Sequence, residues 1–179
     1  QEGACIGSVN GDSELFIEYC DMDIYSGISN GTIIGSVNGD ADIKLENVSA
    51  KLQGAGNIIT GIGTIAGNSC IVRLENVNIS SNIRAKECYG IGCRAGRTNI
   101  YIGHAAVKSV VQGKAAVAFG NSVMSAKLYC SNADIGTNAV TEFNSDIGAL
   151  EKNIQLENGR AEFILNGQEV KRQILAARL

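Results

Sequence analysis

The chain has 179 residues, which is the size of a single domain and is long enough to bury a substantial core without disulfides or a bound metal. Hydrophobic residues make up 45% and charged residues 18%, which excludes an intrinsically disordered chain, and the net charge of −3 gives no electrostatic case for binding nucleic acid or an anionic membrane. No apolar run reaches the roughly 18 residues of a transmembrane helix, and no signal peptide is recognisable. Because the first residue is Gln1 rather than methionine, we expect the chain to be part of a longer protein.

An internal repeat runs along the chain. An apolar residue followed by glycine recurs six times, at steps of 28, 28, 29, 28 and 28 residues. The segment SVNGD occurs at residues 8–12 and again at 36–40, and the strings KLENVSA, RLENVNI and QLENGRA align in the same way. Such spacing predicts six units of one repeat architecture. The six anchor pairs are Ile6-Gly7, Ile34-Gly35, Ile62-Gly63, Ile91-Gly92, Phe119-Gly120 and Ile147-Gly148.

Within each unit, apolar residues alternate with polar ones, which is the period of a strand. No unit contains a convincing amphipathic helix, which argues against leucine-rich, ankyrin and tetratricopeptide repeats. A β-propeller blade needs about 40 residues in four antiparallel strands, so the 28-residue repeat is too short for that alternative. The alternating apolar pairs are Leu15 and Ile17, Ile43 and Leu45, Val72 and Leu74, Ile100 and Ile102, Leu128 and Cys130, and Ile154 and Leu156.

A 28-residue unit of short strands cannot bury its apolar face alone, so the units must stack. We predict an all-β fold over residues 1–168, a single-stranded parallel β-helix of about six rungs, where a rung is one turn of the solenoid. Right-handed coiling is expected because parallel crossovers have that hand. Residues 169–179 (EVKRQILAARL) lack glycine and are rich in helix formers, so they are predicted to form a helix that caps the open edge or mediates dimerisation.

Two outward columns of the main strand carry the candidate binding residues. Lys44 with Glu46, and Arg73 with Glu75, put opposite charges on one face, and neighbouring rungs are expected to add cross-strand pairs. Tyr101 and Tyr129 are expected to stack on neighbouring rungs. The surface is either a solvated, salt-bridged sheet or a recognition strip for sugar rings or a protein partner. The columns are Phe16, Lys44, Arg73, Tyr101, Tyr129 and Gln155, and Glu18, Glu46, Glu75, Gly103, Ser131 and Glu157.

Other polar positions are interpreted as structural. His104 replaces asparagine in a turn column, and Asp12 and Asp40 align in two NGD turns, where acid–base or cation-binding roles are the alternatives. The spacing of Cys88 and Cys93 is a weak metal signature without a second pair. We therefore predict no catalytic residue, no metal and no cofactor. The turn column comprises Tyr19, Asn47, Asn76, His104, Asn132 and Asn158.

The six cysteines have irregular spacings, and two of them, Cys20 and Cys130, fall on apolar positions of the repeat. Free thiols are therefore favoured over disulfides, and free thiols favour a reducing cytoplasm. The alternative location is the cell surface. No membrane association is expected from the composition.

Units of the form GIG…G…I.LENV.I resemble the glycine-rich parallel β-helix repeats of bacteria, and the resemblance covers residues 3 to 165. Such repeats occur in surface and adhesin-like proteins and as appended domains of larger proteins, including regulators. The resemblance implies a non-catalytic binding or scaffold solenoid at the C-terminus of a larger bacterial protein. The alternatives are a carbohydrate-binding adhesin segment and, less favoured, a carbohydrate-active enzyme.

The residues expected to bind a protein or carbohydrate partner are Lys44, Arg73, Tyr101 and Tyr129. Direct nucleic-acid binding is not expected. Oligomerisation is expected, if at all, through an end of the solenoid or through the C-terminal helix.

Overall fold

The computed structural model describes residues 1–142 and 154–170, which form strands and turns and no helix. The strands follow the alternation of the repeat, with apolar side chains pointing inward. The fourteen strands are β1 Glu2–Asn10, β2 Ser13–Ser26, β3 Asn30–Asn38, β4 Ala41–Thr64, β5 Ser69–Glu75, β6 Asn78–Cys93, β7 Arg97–Gly103, β8 Ala106–Gly113, β9 Ala115–Gly120, β10 Ala126–Ser131, β11 Asp134–Thr141, β12 Ile154–Glu157, β13 Arg160–Leu165 and β14 Gln168–Glu169.

The strands coil into a parallel β-solenoid of about five rungs. Three ladders run along its length: β1, β3, β4, β6 and β9; β2, β4, β5, β7, β10 and β12; and β2, β4, β6, β8, β11 and β13. Every pairing in these ladders is parallel and joins residues at equivalent positions of neighbouring repeats. The period of the sequence is therefore the circumference of one rung.

The core is a set of apolar ladders, because each inward position faces the same position one rung away. The anchor residues Ile34, Ile62, Ile91 and Phe119 have no exposed surface. The first rung has a neighbour on one side only, and its equivalent residue Ile6 is only partly buried. The inward apolar side chains are therefore more buried in the second rung than in the first.

Two columns of left-handed backbone make the corners. The glycine of each described anchor pair has φ between 96° and 138°, and a Cβ on Gly63 would lie 1.7 Å from the carbonyl oxygen of Gly92. Glycine is required there because both the dihedral and the space exclude a side chain. The turn column predicted from the asparagines has φ between 46° and 54°, a region that Asn tolerates better than most residues. His104 shares this conformation, so its place in the column is structural.

The rung count differs from the predicted six. The described residues make about five rungs, and the last repeat contributes only the short strands β12 and β13. The sixth anchor pair, Ile147-Gly148, lies outside the described residues.

The predicted helix is corrected at its start. Residues 168–169 form β14, which pairs antiparallel with β13 through a two-residue connection. Asn166 and Gly167 both have positive φ, 48° and 79°, as a tight hairpin turn requires. Asn-Gly is a strong hairpin signal, and it places Glu169, the first residue of the predicted helix, in a strand. Residues 171–179 of the predicted helix lie outside the described residues.

Candidate functional site

The predicted outward column is a physical row of side chains. Neighbouring strands pair Phe16 with Lys44, Lys44 with Arg73, Arg73 with Tyr101, Tyr101 with Tyr129 and Tyr129 with Gln155. An open groove of about 710 Å³ follows this row, and the four predicted binding residues all line it. We call it the tyrosine groove. Its charged and polar lining residues are Lys44, Glu46, Arg73, Glu75, Tyr101, Tyr129, Ser131, Gln155 and Glu157.

The centre of the tyrosine groove is an aromatic stack. The rings of Tyr101 and Tyr129 are 5.1 Å apart between centroids and only 6° from parallel. Tyr101 keeps 41% of its surface exposed, whereas Tyr129 is half-buried. Aromatic pairs at this separation prefer an offset arrangement, which leaves part of each ring face uncovered. The predicted stacking of this pair is confirmed.

The cationic end of the groove is internally neutralised. Lys44 Nζ lies 2.6 Å from Glu46 Oε2, as predicted, and 4.7 Å from the centre of the Phe16 ring. Arg73, however, pairs with Asp42 on the preceding strand rather than with Glu75. This is a cross-rung pair of the kind predicted for neighbouring rungs, because a long side chain in a parallel ladder reaches the adjacent rung as readily as its own strand.

Glu75 instead belongs to a polar cluster at the corner of the groove. Its Oε1 lies 2.7 Å from His104 Nδ1, and His104 Nε2 lies 3.3 Å from Asn132 Nδ2. A Cβ on Gly103 would be 2.1 Å from Glu75 Oε2, so the carboxylate occupies the space that the missing side chain leaves. Sequence reasoning missed this contact. The signal was available, because Gly103 interrupts the glutamate column immediately before His104 interrupts the asparagine column.

The stacked aspartates are turn caps. Asp12 Oδ1 accepts a hydrogen bond from the backbone N–H of Asp40 at 2.8 Å. Asp40 Oδ1 in turn accepts from the N–H groups of Asn68 and Ser69, at 2.7 and 3.0 Å. Each carboxylate therefore holds the turn of the next rung, which is the structural role predicted for this column.

All six cysteines are free thiols in the structure. Burial raises the pKa of the Cys88 and Cys130 thiols from 9.0 to about 12 and that of Cys93 to about 11. Burial, followed by the nearby Cys93, also raises the pKa of Cys70 well above its ordinary value. These four thiols are protonated near neutral pH and behave as small apolar core residues.

Within residues 1–142 and 154–170, no group of three His, Cys, Asp or Glu side chains is close enough to hold a metal ion. The same residues contain no helix with the length and hydropathy needed to cross a membrane. Comparison with protein-family models, with curated proteins and with solved structures gives no match.

Proposed function

We propose that this chain is a non-catalytic binding module in which the solenoid is a rigid scaffold and the tyrosine groove is the ligand site. The observation that carries the proposal is the convergence of Lys44, Arg73, Tyr101 and Tyr129 on one groove. Solenoids use extended faces of this kind for recognition, because the parallel ladders hold every outward side chain in a fixed register. Exposed aromatic side chains on a rigid frame bind at a small entropic cost.

A non-catalytic role is supported by what the titratable groups do. Asp12 and Asp40 accept backbone hydrogen bonds, and His104 contacts Glu75 and Asn132 at a corner. Catalytic acids and bases need pKa values matched to their task and a reacting group within reach. These carboxylates and this imidazole are instead used to hold turns.

The resemblance to glycine-rich bacterial β-helix repeats, which occur as appended domains of larger proteins, supports a module of a larger bacterial protein. Six free thiols, four of them deeply buried, support a reducing compartment and hence a cytoplasmic location. A segment of a carbohydrate-binding surface adhesin is the second candidate. The stacked tyrosines beside Gln155 and Ser131 favour it, because sugars are recognised by an aromatic face together with hydrogen-bonding side chains.

The test is a binding survey with matched variants. The protein is immobilised and screened against a glycan array and a lysate, in parallel with the Tyr101→Ser, Tyr129→Ser double variant. The control is Tyr19→Ser, Tyr25→Ser, which removes two tyrosines that are 75% and 69% exposed and lie outside the groove. The proposal predicts a ligand that the control variant retains and the groove variant loses. A ligand lost equally by both variants, or retained by both, would contradict it.

A further inference from the structure

We infer that the ligand of the tyrosine groove is a neutral, linear oligosaccharide that lies along the solenoid axis, across the strands. This inference rests on the proposed binding function and names its ligand class. Three properties of the groove support it: the size, the charges and the order of the side chains.

The size of the groove favours an oligosaccharide over a folded protein. Its volume of about 710 Å³ falls within the range of about 300–1,000 Å³ that is typical of small-ligand sites. A stable protein–protein interface covers about 800 Å² on each partner and is broad rather than confined to one row of side chains. From Lys44 to Gln155 the row crosses five paired strands, which at about 4.8 Å per strand gives a length of about 19 Å.

The charges of the groove favour a neutral ligand. Lys44 already lies 2.6 Å from Glu46, and Arg73 is paired with Asp42. The lining therefore has two cations and three carboxylates, those of Glu46, Glu75 and Glu157. An anionic polymer would approach a surface of net negative charge. It would also have to displace the carboxylates that already pair with Lys44 and Arg73. A cationic polymer would find few unpaired carboxylates, because Glu46 already pairs with Lys44 and Glu75 with His104.

The order of the side chains fits a chain of sugar rings. The tyrosine stack occupies the third and fourth of the five positions, and the exposed 41% of Tyr101 offers aromatic surface to the apolar face of a pyranose. Hydrogen-bonding groups lie on the strand of Tyr129 itself, at Ser131, and on the next strand of the ladder, at Gln155 and Glu157. A pyranose unit of an extended glycan advances by about one strand spacing, so successive rings stay in register with successive strands. About four units would fill the row.

The test is calorimetric titration of the intact chain with neutral glucan oligomers of increasing length and with galacturonan oligomers of the same lengths. The inference predicts binding of the neutral series, an affinity that rises up to about four units and then levels off, and little change between low and high salt. The double change Tyr101→Ser, Tyr129→Ser should lower the affinity at least tenfold, and Tyr19→Ser, Tyr25→Ser should leave it unchanged. A mannan and a chitin oligomer series widen the neutral set, so that one unsuitable sugar does not decide the outcome.

Three results would overturn the inference. They are tighter binding of the galacturonans, binding of none of the neutral series, and neutral binding that survives the groove double variant. If none of the neutral oligomers binds but the binding survey finds a protein whose capture requires Tyr101 and Tyr129, the ligand class fails and the proposed binding function stands. If the survey also finds no ligand that depends on the two tyrosines, both fail.

Discussion

Tyr101 and Tyr129 occupy the same position on neighbouring parallel strands, with their rings 5.1 Å apart and 6° from parallel. The strand pairing alone brings the side chains to this separation, since parallel strands lie about 4.8 Å apart. The same contact can therefore stabilise the sheet and form a binding surface. The two roles are separable, because one is measured on the free protein and the other on the complex.

The stabilising part of the stack should be small. Aromatic pairs contribute about 0.5–1.5 kcal/mol beyond their burial, so a double-mutant cycle of Tyr101→Ser and Tyr129→Ser should give a coupling energy in that range. Chemical denaturation of the four proteins measures it. A coupling energy near zero would mean that the rings do not stack in solution.

A corner glycine and a glycine inside a strand should differ sharply in their tolerance of a methyl group. Gly63→Ala places a Cβ 1.7 Å from a backbone oxygen at a φ of 138°, so we expect a loss above about 4 kcal/mol or no folded protein. Gly136 has nothing within 4 Å of the added Cβ, so Gly136→Ala should change the free energy of unfolding by less than about 1 kcal/mol. Thermal denaturation of both variants provides the comparison. Similar losses in the two proteins would contradict the corner geometry.

The difference in burial between the first two rungs predicts a second contrast. Leu45 is fully buried, whereas Ile17, its partner in the ladder, is only partly buried. Truncating a buried Leu to Ala costs about 2–5 kcal/mol, so Leu45→Ala should destabilise the protein by clearly more than Ile17→Ala. Denaturant midpoints at constant m-value measure the difference. A larger loss for Ile17→Ala would show that the first rung is covered in the native protein.

The buried thiols predict a loss of stability in alkaline solution. Their pKa values are raised on folding, from 9.0 to about 11 for Cys93 and to about 12 for Cys88 and Cys130, so the unfolded chain releases these protons first. Their contribution is complete below pH 9 and is lost as the pH rises from 9 towards 12, by up to about 1.4 kcal/mol per pH unit for each thiol.

The pH effect is measured as the free energy of unfolding in a series of buffers above pH 8. Cys88→Ala should reduce its slope, because that variant has one buried thiol fewer to ionise. An unchanged slope in Cys88→Ala would mean that this thiol ionises in the folded protein as readily as in the unfolded chain.

The sequence predicted the solenoid and its inward and outward columns, because a parallel ladder repeats one environment at each 28-residue step. The positions of Tyr101 and Tyr129 follow from that rule alone. The ion-pair partners of Arg73 and Glu75 do not follow from that rule, since a long charged side chain has several oppositely charged or polar neighbours within reach. The C-terminal hairpin was missed because helix propensity was weighed without the Asn166-Gly167 turn. Handedness and the bacterial family stay predictions.

The most direct test of the binding site uses the five tyrosines of the chain as probes. With ring-labelled tyrosine, NMR spectra are recorded during titration with the tightest neutral oligosaccharide, and signals are assigned by single Tyr→Phe variants. The account predicts that the Tyr101 and Tyr129 ring signals shift in a saturable way, while those of Tyr19, Tyr25 and the buried Tyr89 stay in place. Shifts confined to Tyr19 and Tyr25, or no shift at saturating ligand, would contradict it.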